Sequence, residues 1–170
     1  MNFLKKVYLH IKRKYVFFCV NKLYAGTKHF KKKTKLLRSI RYKIGDNTKI
    51  VGPLFITGNL ILGNNCWVGA FFKILGNGNV IIGDNCDIAP EVCFLTGGHE
   101  IGDCTRRAGN GEIYTISVGN GTWIGARSIF VKNIQIGDAN VIACGSVVHT
   151  NTPANCLIAG VPAKIKKEYQ

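Results

Sequence analysis

The sequence predicts an all-β fold, a parallel β-solenoid of about five triangular coils preceded by a basic helical segment. Three observations predict it. An aliphatic residue, then Gly, then Asp or Asn returns along the chain, in IGDNTK at Ile44, LGNNCW at Leu62, IGDNCD at Ile82, VGNGTW at Val118 and IGDANV at Ile136. Within these units an apolar residue recurs every six positions, through Ile44, Ile50, Ile56, Leu62, Val68 and Ile74, then Ile82, Ile88 and Phe94, then Val118, Ile124, Phe130, Ile136, Ile142 and Val148. Small residues fall four places after the aliphatic one, at Thr48, Cys66, Cys86 and Thr122. A period of six belongs to neither a helix nor a half-buried strand. It suits three short flat strands per coil, stacked ~4.8 Å apart as parallel ladders with one apolar residue per strand pointing into a continuous core.

Composition divides the chain near residue 43. Residues 1–43 hold fourteen of the twenty-three Lys and Arg and no Asp or Glu, so the net charge of +14 resides there and the remainder is neutral. Phe3, Leu4, Val7, Tyr8, Ile11, Tyr15 and Phe18 have helical spacing, with Lys5, Lys6, Lys12, Arg13 and Lys14 between them. That pattern predicts a basic amphipathic helix, lying on an anionic membrane surface, closing the first coil with its apolar face, or doing both. The apolar run Tyr15–Val20 is far short of the ~20 residues that span a bilayer, and it has no signal-peptide character. Basic charge alone is a weak sign of nucleic-acid binding, and no reading motif accompanies it, so no nucleic-acid partner is expected. The solenoid is expected over 44–153 and a C-terminal extension over 154–170.

The interruptions of the repeat point to a site. Ile44 to Leu62 is eighteen residues, Leu62 to Ile82 twenty, Ile82 to Val118 thirty-six and Val118 to Ile136 eighteen. The short insertion around Gly76–Gly78 and the long one, residues 95–117, both follow the third strand of a coil and should lie one above the other. Loops extruded from a rigid scaffold are where sites are built. The seven cysteines form no CxxC pair and read as packing residues in a reducing compartment. With His10, His29, His99 and His149 as the only histidines, and two of them ahead of the coils, no metal site is expected. GNGNVIIG lacks the Lys and Ser or Thr of a P-loop.

The hexads, with GTWIGARS, IACGSVV and AGVPAK, resemble the left-handed parallel β-helix (hexapeptide-repeat) acyltransferases, and TGGHEIGDCTRRAG resembles their capsule and O-antigen polysaccharide O-acetyltransferase branch. The resemblance covers residues 44 to 168 and is the sole source of the left hand, because parallel crossovers are ordinarily right-handed. It implies a homotrimer using acetyl-CoA and no metal, with His99 as the catalytic base that takes a proton from an acceptor hydroxyl. Imidazole is suited to that task at neutral pH. It also implies pantetheine contacts at Gly125, Ala126, Cys144 and Gly145, and phosphate contacts at Lys164 and Lys167. Ala126 and Cys144 are eighteen residues apart, hence stacked on adjacent coils. Family members often carry Thr-Lys where this chain has His149 and Thr150, leaving Lys166 as a substitute cation. The asparagine that small-sugar members present to their acceptor aligns with Gly69.

For the acceptor, Glu100, Arg106, Arg107 and Trp123 are the candidate contacts, Glu100 otherwise either orienting His99 or simply facing water. The resulting expectation is an O-acetyltransferase acting on a cell-surface polysaccharide or its lipid-linked precursor by direct transfer, cytoplasmic and peripheral on the inner face of the membrane. Two alternatives stand beside it. A serine O-acetyltransferase shares the coils and the histidine but normally has a large helical N-terminal domain, and a non-catalytic solenoid scaffold at the membrane needs neither.

Overall fold

The computed structural model describes residues 3–170. Two helices lead, α1 (Phe3–Phe18), continued by a π-helical turn (Cys19–Leu23), and α2 (Phe30–Arg38). The first coil is β1 (Lys43–Ile44), β2 (Lys49–Ile50) and β3 (Leu54–Ile56); the second is β4 (Asn59–Leu62), β5 (Trp67–Val68) and β6 (Phe72–Leu75); the third is β7 (Asn79–Ile82), β8 (Asp87–Ile88) and β9 (Cys93–Leu95). A hairpin interrupts them, β10 (Gly97–Ile101) and β11 (Ala108–Ile113). The coils resume as β12 (Thr115–Val118), β13 (Trp123–Ile124) and β14 (Ile129–Val131), then β15 (Ile134–Ile136), β16 (Val141–Ile142) and β17 (Val147–Val148). A sixth turn begins with β18 (Cys156–Gly160), on which β19 (Ala163–Glu168) folds back antiparallel. Residues 154–170, expected as an extension, thus continue the stack, with Leu157 and Ile158 in parallel register with Val141 and Ile142.

Three parallel faces result. The first face stacks β1, β4, β7, β12 and β15; the second β2, β5, β8, β13, β16 and β18; the third β3, β6, β9, β14 and β17. Ile82 pairs with Val118 across the long insertion, so the hairpin is extruded without disturbing register. The apolar hexad positions fill the interior, where Phe72, Phe94 and Phe130 stack at centroid distances of 5.6 and 4.7 Å.

Hydrogen bonds between coils explain the repeated motif. The third residue of each motif accepts the backbone N–H of its counterpart one coil earlier: Asn64 from Asp46, Asp84 from Asn64, Asn120 from Asp84 and Asp138 from Asn120, all at 2.7–2.8 Å. The small position does more than pack. Thr48 Oγ1 donates to the Gly63 carbonyl at 2.7 Å, and the Cys66 and Cys86 thiols donate to Gly83 and Gly119 at 3.2 Å. The neighbouring Cys66 sulfur and burial hold the Cys86 thiol well above the ordinary range, which keeps it a donor.

The helical segment caps the open end of the first coil, but through a face other than the expected one. Phe3, Leu4, Val7, Tyr8, Ile11, Tyr15 and Phe18 remain exposed, while Val16, Val20, Leu37, Ile40 and Tyr42 enter the core. The reason lies in backbone satisfaction. An unpaired strand edge must be covered or bonded, and the residues on the Val16 side do both. The Asn21 amide donates to the Leu54 carbonyl and accepts the Leu54 N–H, each at 2.8 Å; Arg13 donates to the Ile56 carbonyl at 2.8 Å; Arg38 donates to those of Ile44 and Gly45. Lys33 is buried beneath α2, its ammonium donating to the Gly26 carbonyl at 2.6 Å, and burial lowers its pKa. Among the described residues no helix is long and apolar enough to cross a membrane.

Candidate active site

The site is built on the β10–β11 hairpin, which leaves the solenoid at the edge between the third and first faces. Its root is Thr96, fully buried, whose hydroxyl donates to the Leu75 carbonyl at 3.3 Å and accepts the Gly78 N–H at 3.2 Å. The Tyr114 N–H donates to the Thr96 carbonyl at 3.0 Å, closing the hairpin base. The two insertions lie one above the other, as their spacing predicted, because the short one seats the long one.

His99 faces Gly111 across the hairpin and is exposed. Its Nδ1 lies 2.9 Å from the Gly109 carbonyl. A carbonyl only accepts, so in the neutral ring Nδ1 carries the proton and Nε2 keeps its lone pair toward solvent. This is the tautomer a general base requires. Glu100, expected as an orienter, is not: its Oε2 accepts from the Asn110 amide at 3.0 Å, and the backbone of Gly109 fixes the ring instead. Sequence reading had no means of finding Gly109, since the contact belongs to its backbone.

Gly98 is crowded by the Tyr114 side chain at the hairpin base. A Cβ there would lie 2.3 Å from Tyr114 Oη and 2.8 Å from its ring. The Tyr114 hydroxyl donates to Glu112 Oε2 at 2.7 Å, and that carboxylate raises the phenol pKa. Near the hairpin tip, Asp103 Oδ1 accepts from Thr105 N–H at 2.9 Å, Thr105 Oγ1 at 2.6 Å and Arg106 N–H at 3.2 Å, which holds its carboxyl below the usual range. Arg106 is exposed and lines a hollow of about 410 Å³, while the exposed Arg107 donates to the Gly102 carbonyl at 3.3 Å.

The proposed donor contacts lie elsewhere on the same prism. Ala126 and Cys144 stack at the edge between the second and third faces, where the Gly145 N–H donates to the Ala126 carbonyl at 2.9 Å. A Cβ at Gly125 would meet the Cys144 backbone nitrogen at 2.6 Å, so only glycine fits there. Cys144 and Gly145 are exposed. Lys164 pairs with Ala159 and Lys167 with Leu157, the bulge at Lys166 bringing two residues three apart onto one side. Leu157 is in register with Val141, and Val141 with Trp123, so both lysines share the outer side of the second face with Trp123, itself 58% exposed. Trp67, at the equivalent hexad position, is covered edge-on by Phe30 of α2 at 5.7 Å.

Within one protomer the structure therefore gathers two groups and keeps them apart. His99 and the Ala126–Cys144 edge are separated by the width of the third face, roughly 15 Å for a five-residue extended segment. A cleft of about 1410 Å³ between α2 and the first two coils, lined by Lys31, Lys35, Arg38 and Lys49, contains neither group. Among the described residues no cluster of three His, Cys, Asp or Glu side chains could hold a metal.

The solenoid is that of the left-handed β-helix acetyltransferases, and comparison with known proteins places the chain among them. No family model matches. The galactoside O-acetyltransferase of Escherichia coli K12 is 32% identical over 141 residues, 81% of this chain and 68% of that protein. A galactoside acetyltransferase solved with coenzyme A superposes with a TM-score of 0.74 at 28% identity, covering 94% of this chain and 82% of the other. The polySia-specific acetyltransferase NeuO superposes at 0.64 with 31% identity, over 72% of this chain and 58% of its own. The chain belongs to the hexapeptide-repeat acetyltransferases and is an acyltransferase.

Proposed function

We propose that the protein transfers acetyl from acetyl-CoA directly to a hydroxyl of a cell-surface polysaccharide or its lipid-linked precursor, as a homotrimer whose sites lie between neighbouring prisms. The observation that carries the chemistry is the His99 Nδ1 to Gly109 carbonyl contact of 2.9 Å, which leaves Nε2 free. Nε2 takes the proton of the acceptor hydroxyl as its oxygen attacks the thioester carbonyl. The tetrahedral oxyanion collapses, the C–S bond breaks, and the leaving CoA thiolate recovers the proton from the imidazolium. No acyl-enzyme forms. Donor binding is assigned to Gly125, Ala126, Cys144 and Gly145 along the arm, with Lys164 and Lys167 at the phosphates.

The separation of His99 from that edge supports a site completed by a second copy, a heterologous contact that closes into a ring. Ile101 and Ile113 of the hairpin, 89% and 66% exposed, are apolar surface for that neighbour. A polymeric rather than small acceptor is favoured by Gly69. A Cβ there would lie 2.6 Å from Pro90 N, so the position cannot present a side chain to a small sugar. Arg106, Arg107 and Trp123 stand exposed for contact with the polymer, and the basic N-terminal segment keeps the enzyme at the membrane face where a lipid-linked precursor resides. The test follows thiol release from acetyl-CoA with extracted surface glycans, simple sugars and L-serine, using the protein and its His99→Ala variant. Glycan-dependent release that falls 10²- to 10⁴-fold in the variant, without loss of folding, is expected. Turnover with serine alone would contradict the reading.

A further inference from the structure

The orientation of α1 decides what the protein can touch. At 3.6 residues per turn, Leu9, Arg13, Val16 and Phe17 fall on the side facing the first coil. Leu4, Val7, Tyr8, Ile11, Tyr15 and Phe18 fall on the opposite side and remain 40–72% exposed, joined by Phe3 at the helix start. The helix is therefore apolar on two sides. The inner side is used; the outer one is a continuous stripe bordered by Lys5 and Lys12 on one flank and Lys6 and Lys14 on the other. Contiguous apolar surface of this extent marks an interaction site.

We infer that the outer stripe of α1 inserts in the plane of an anionic lipid surface, with the bordering lysines reaching the headgroups. This rests on the membrane reading above and assigns it to one helix face. Charge complementarity selects the occupant. Residues 1–43 carry fourteen bases and no acid, whereas the rest of the chain balances nine bases with nine acids. A second copy of the chain thus offers no net negative charge to meet those lysines, while an anionic bilayer meets the apolar stripe and the charges together. The long lysine stems let the apolar ring sink while the ammonium groups stay at the headgroup level. The helix is too short and too charged to cross, so it lies flat.

The test is co-sedimentation of the full chain with phosphatidylcholine vesicles carrying about 30% phosphatidylserine, and with phosphatidylcholine alone. The double variant Leu4→Ser/Ile11→Ser removes two exposed side chains and leaves the cap intact. Expected is binding to the anionic vesicles that is weakened by salt, is largely absent from the neutral ones, and falls about tenfold or more in the variant. Acetyl-CoA turnover with a soluble acceptor is unchanged by the double substitution. Absence of binding by the unmodified protein would overturn both this inference and the membrane reading. Full binding by the variant would leave the membrane reading standing on the remaining bases and overturn the stripe. A drop in oligomer mass in the variant by light scattering would assign the stripe to a second copy and overturn the inference.

Discussion

Replacing Gly98 by alanine adds one carbon beside the proposed base, and its consequence can be worked from the structure. The new Cβ would lie 2.3 Å from Tyr114 Oη and 2.8 Å from ring carbons, against ~3.5 Å for ordinary contact. About 1 Å of movement relieves the overlap. The Tyr114 backbone is tied at both ends, its N–H to the Thr96 carbonyl and its carbonyl to the Asn79 N–H, each at 3.0 Å. Movement therefore falls on the ring, which loses its 2.7 Å bond to Glu112, and on the strand that carries His99. The hydrogen bond is exposed to solvent, so water replaces it and its loss costs little stability. A displacement of about 1 Å at a reacting group costs on the order of 10²-fold in rate. Gly98→Ala is thus expected to lower kcat for acetyl transfer about 100-fold with little change in Tm. Combining it with Tyr114→Ala, which vacates the space, makes the alanine nearly silent relative to Tyr114→Ala alone. Equal losses from Gly98→Ala in both backgrounds, or full activity in the single variant, would refute the steric argument.

Other consequences reach the scaffold. The Tyr42 hydroxyl is buried with no hydrogen-bond partner among the described residues, and burial pushes its pKa from 10.0 up to about 12 despite the Arg13 guanidinium over its ring. The folded value lies above the unfolded one, so its contribution is fully present below pH 10.0 and is lost as pH rises through about 12, a fall on the order of 2–3 kcal/mol. Tyr42→Phe should add about 1 kcal/mol near neutrality and remove that alkaline loss, read by urea unfolding at several pH values; an unchanged alkaline slope would contradict the burial argument. Gly125→Val drives a side chain into the Cys144 backbone, 2.6 Å away, and is expected to cost about 3 kcal/mol and raise KM for acetyl-CoA. Gly145→Ala, with open space but φ +69°, costs only about 1 kcal/mol by chemical denaturation, and similar losses for the two would argue against tight coil stacking at this edge.

Much of the architecture is legible in the sequence because each hexad repeats the same physical demand. Ile44, Leu62, Ile82, Val118 and Ile136 stand in one register as their spacing requires, and even the thirty-six-residue gap keeps it. What was misread has a common cause. The apolar residues of α1 had two expected fates, a membrane surface or the closing of the first coil, and the closing falls to other residues. The cap is chosen by hydrogen bonds from Asn21, Arg13 and Arg38 to a strand edge, which hydropathy does not register. The orienting partner of His99 is likewise a carbonyl, so Glu100 drew attention merely as the adjacent carboxylate. The small corner positions Cys66 and Cys86 were read as packing alone, yet their thiols join successive coils.

The central claim is that His99 of one protomer acts on acetyl-CoA held along the Ala126–Cys144 edge of another. It is tested most directly by co-expressing two differently tagged inactive variants, His99→Ala and Cys144→Trp, and assaying the purified mixed trimers for acetyl transfer. Each site then needs a histidine from one kind of subunit and an open edge from the other, so every mixed trimer carries one intact site of its three and shows about one third of the unmodified activity. Mixed trimers as inactive as the parent variants would place both groups of each site in one protomer and contradict the account.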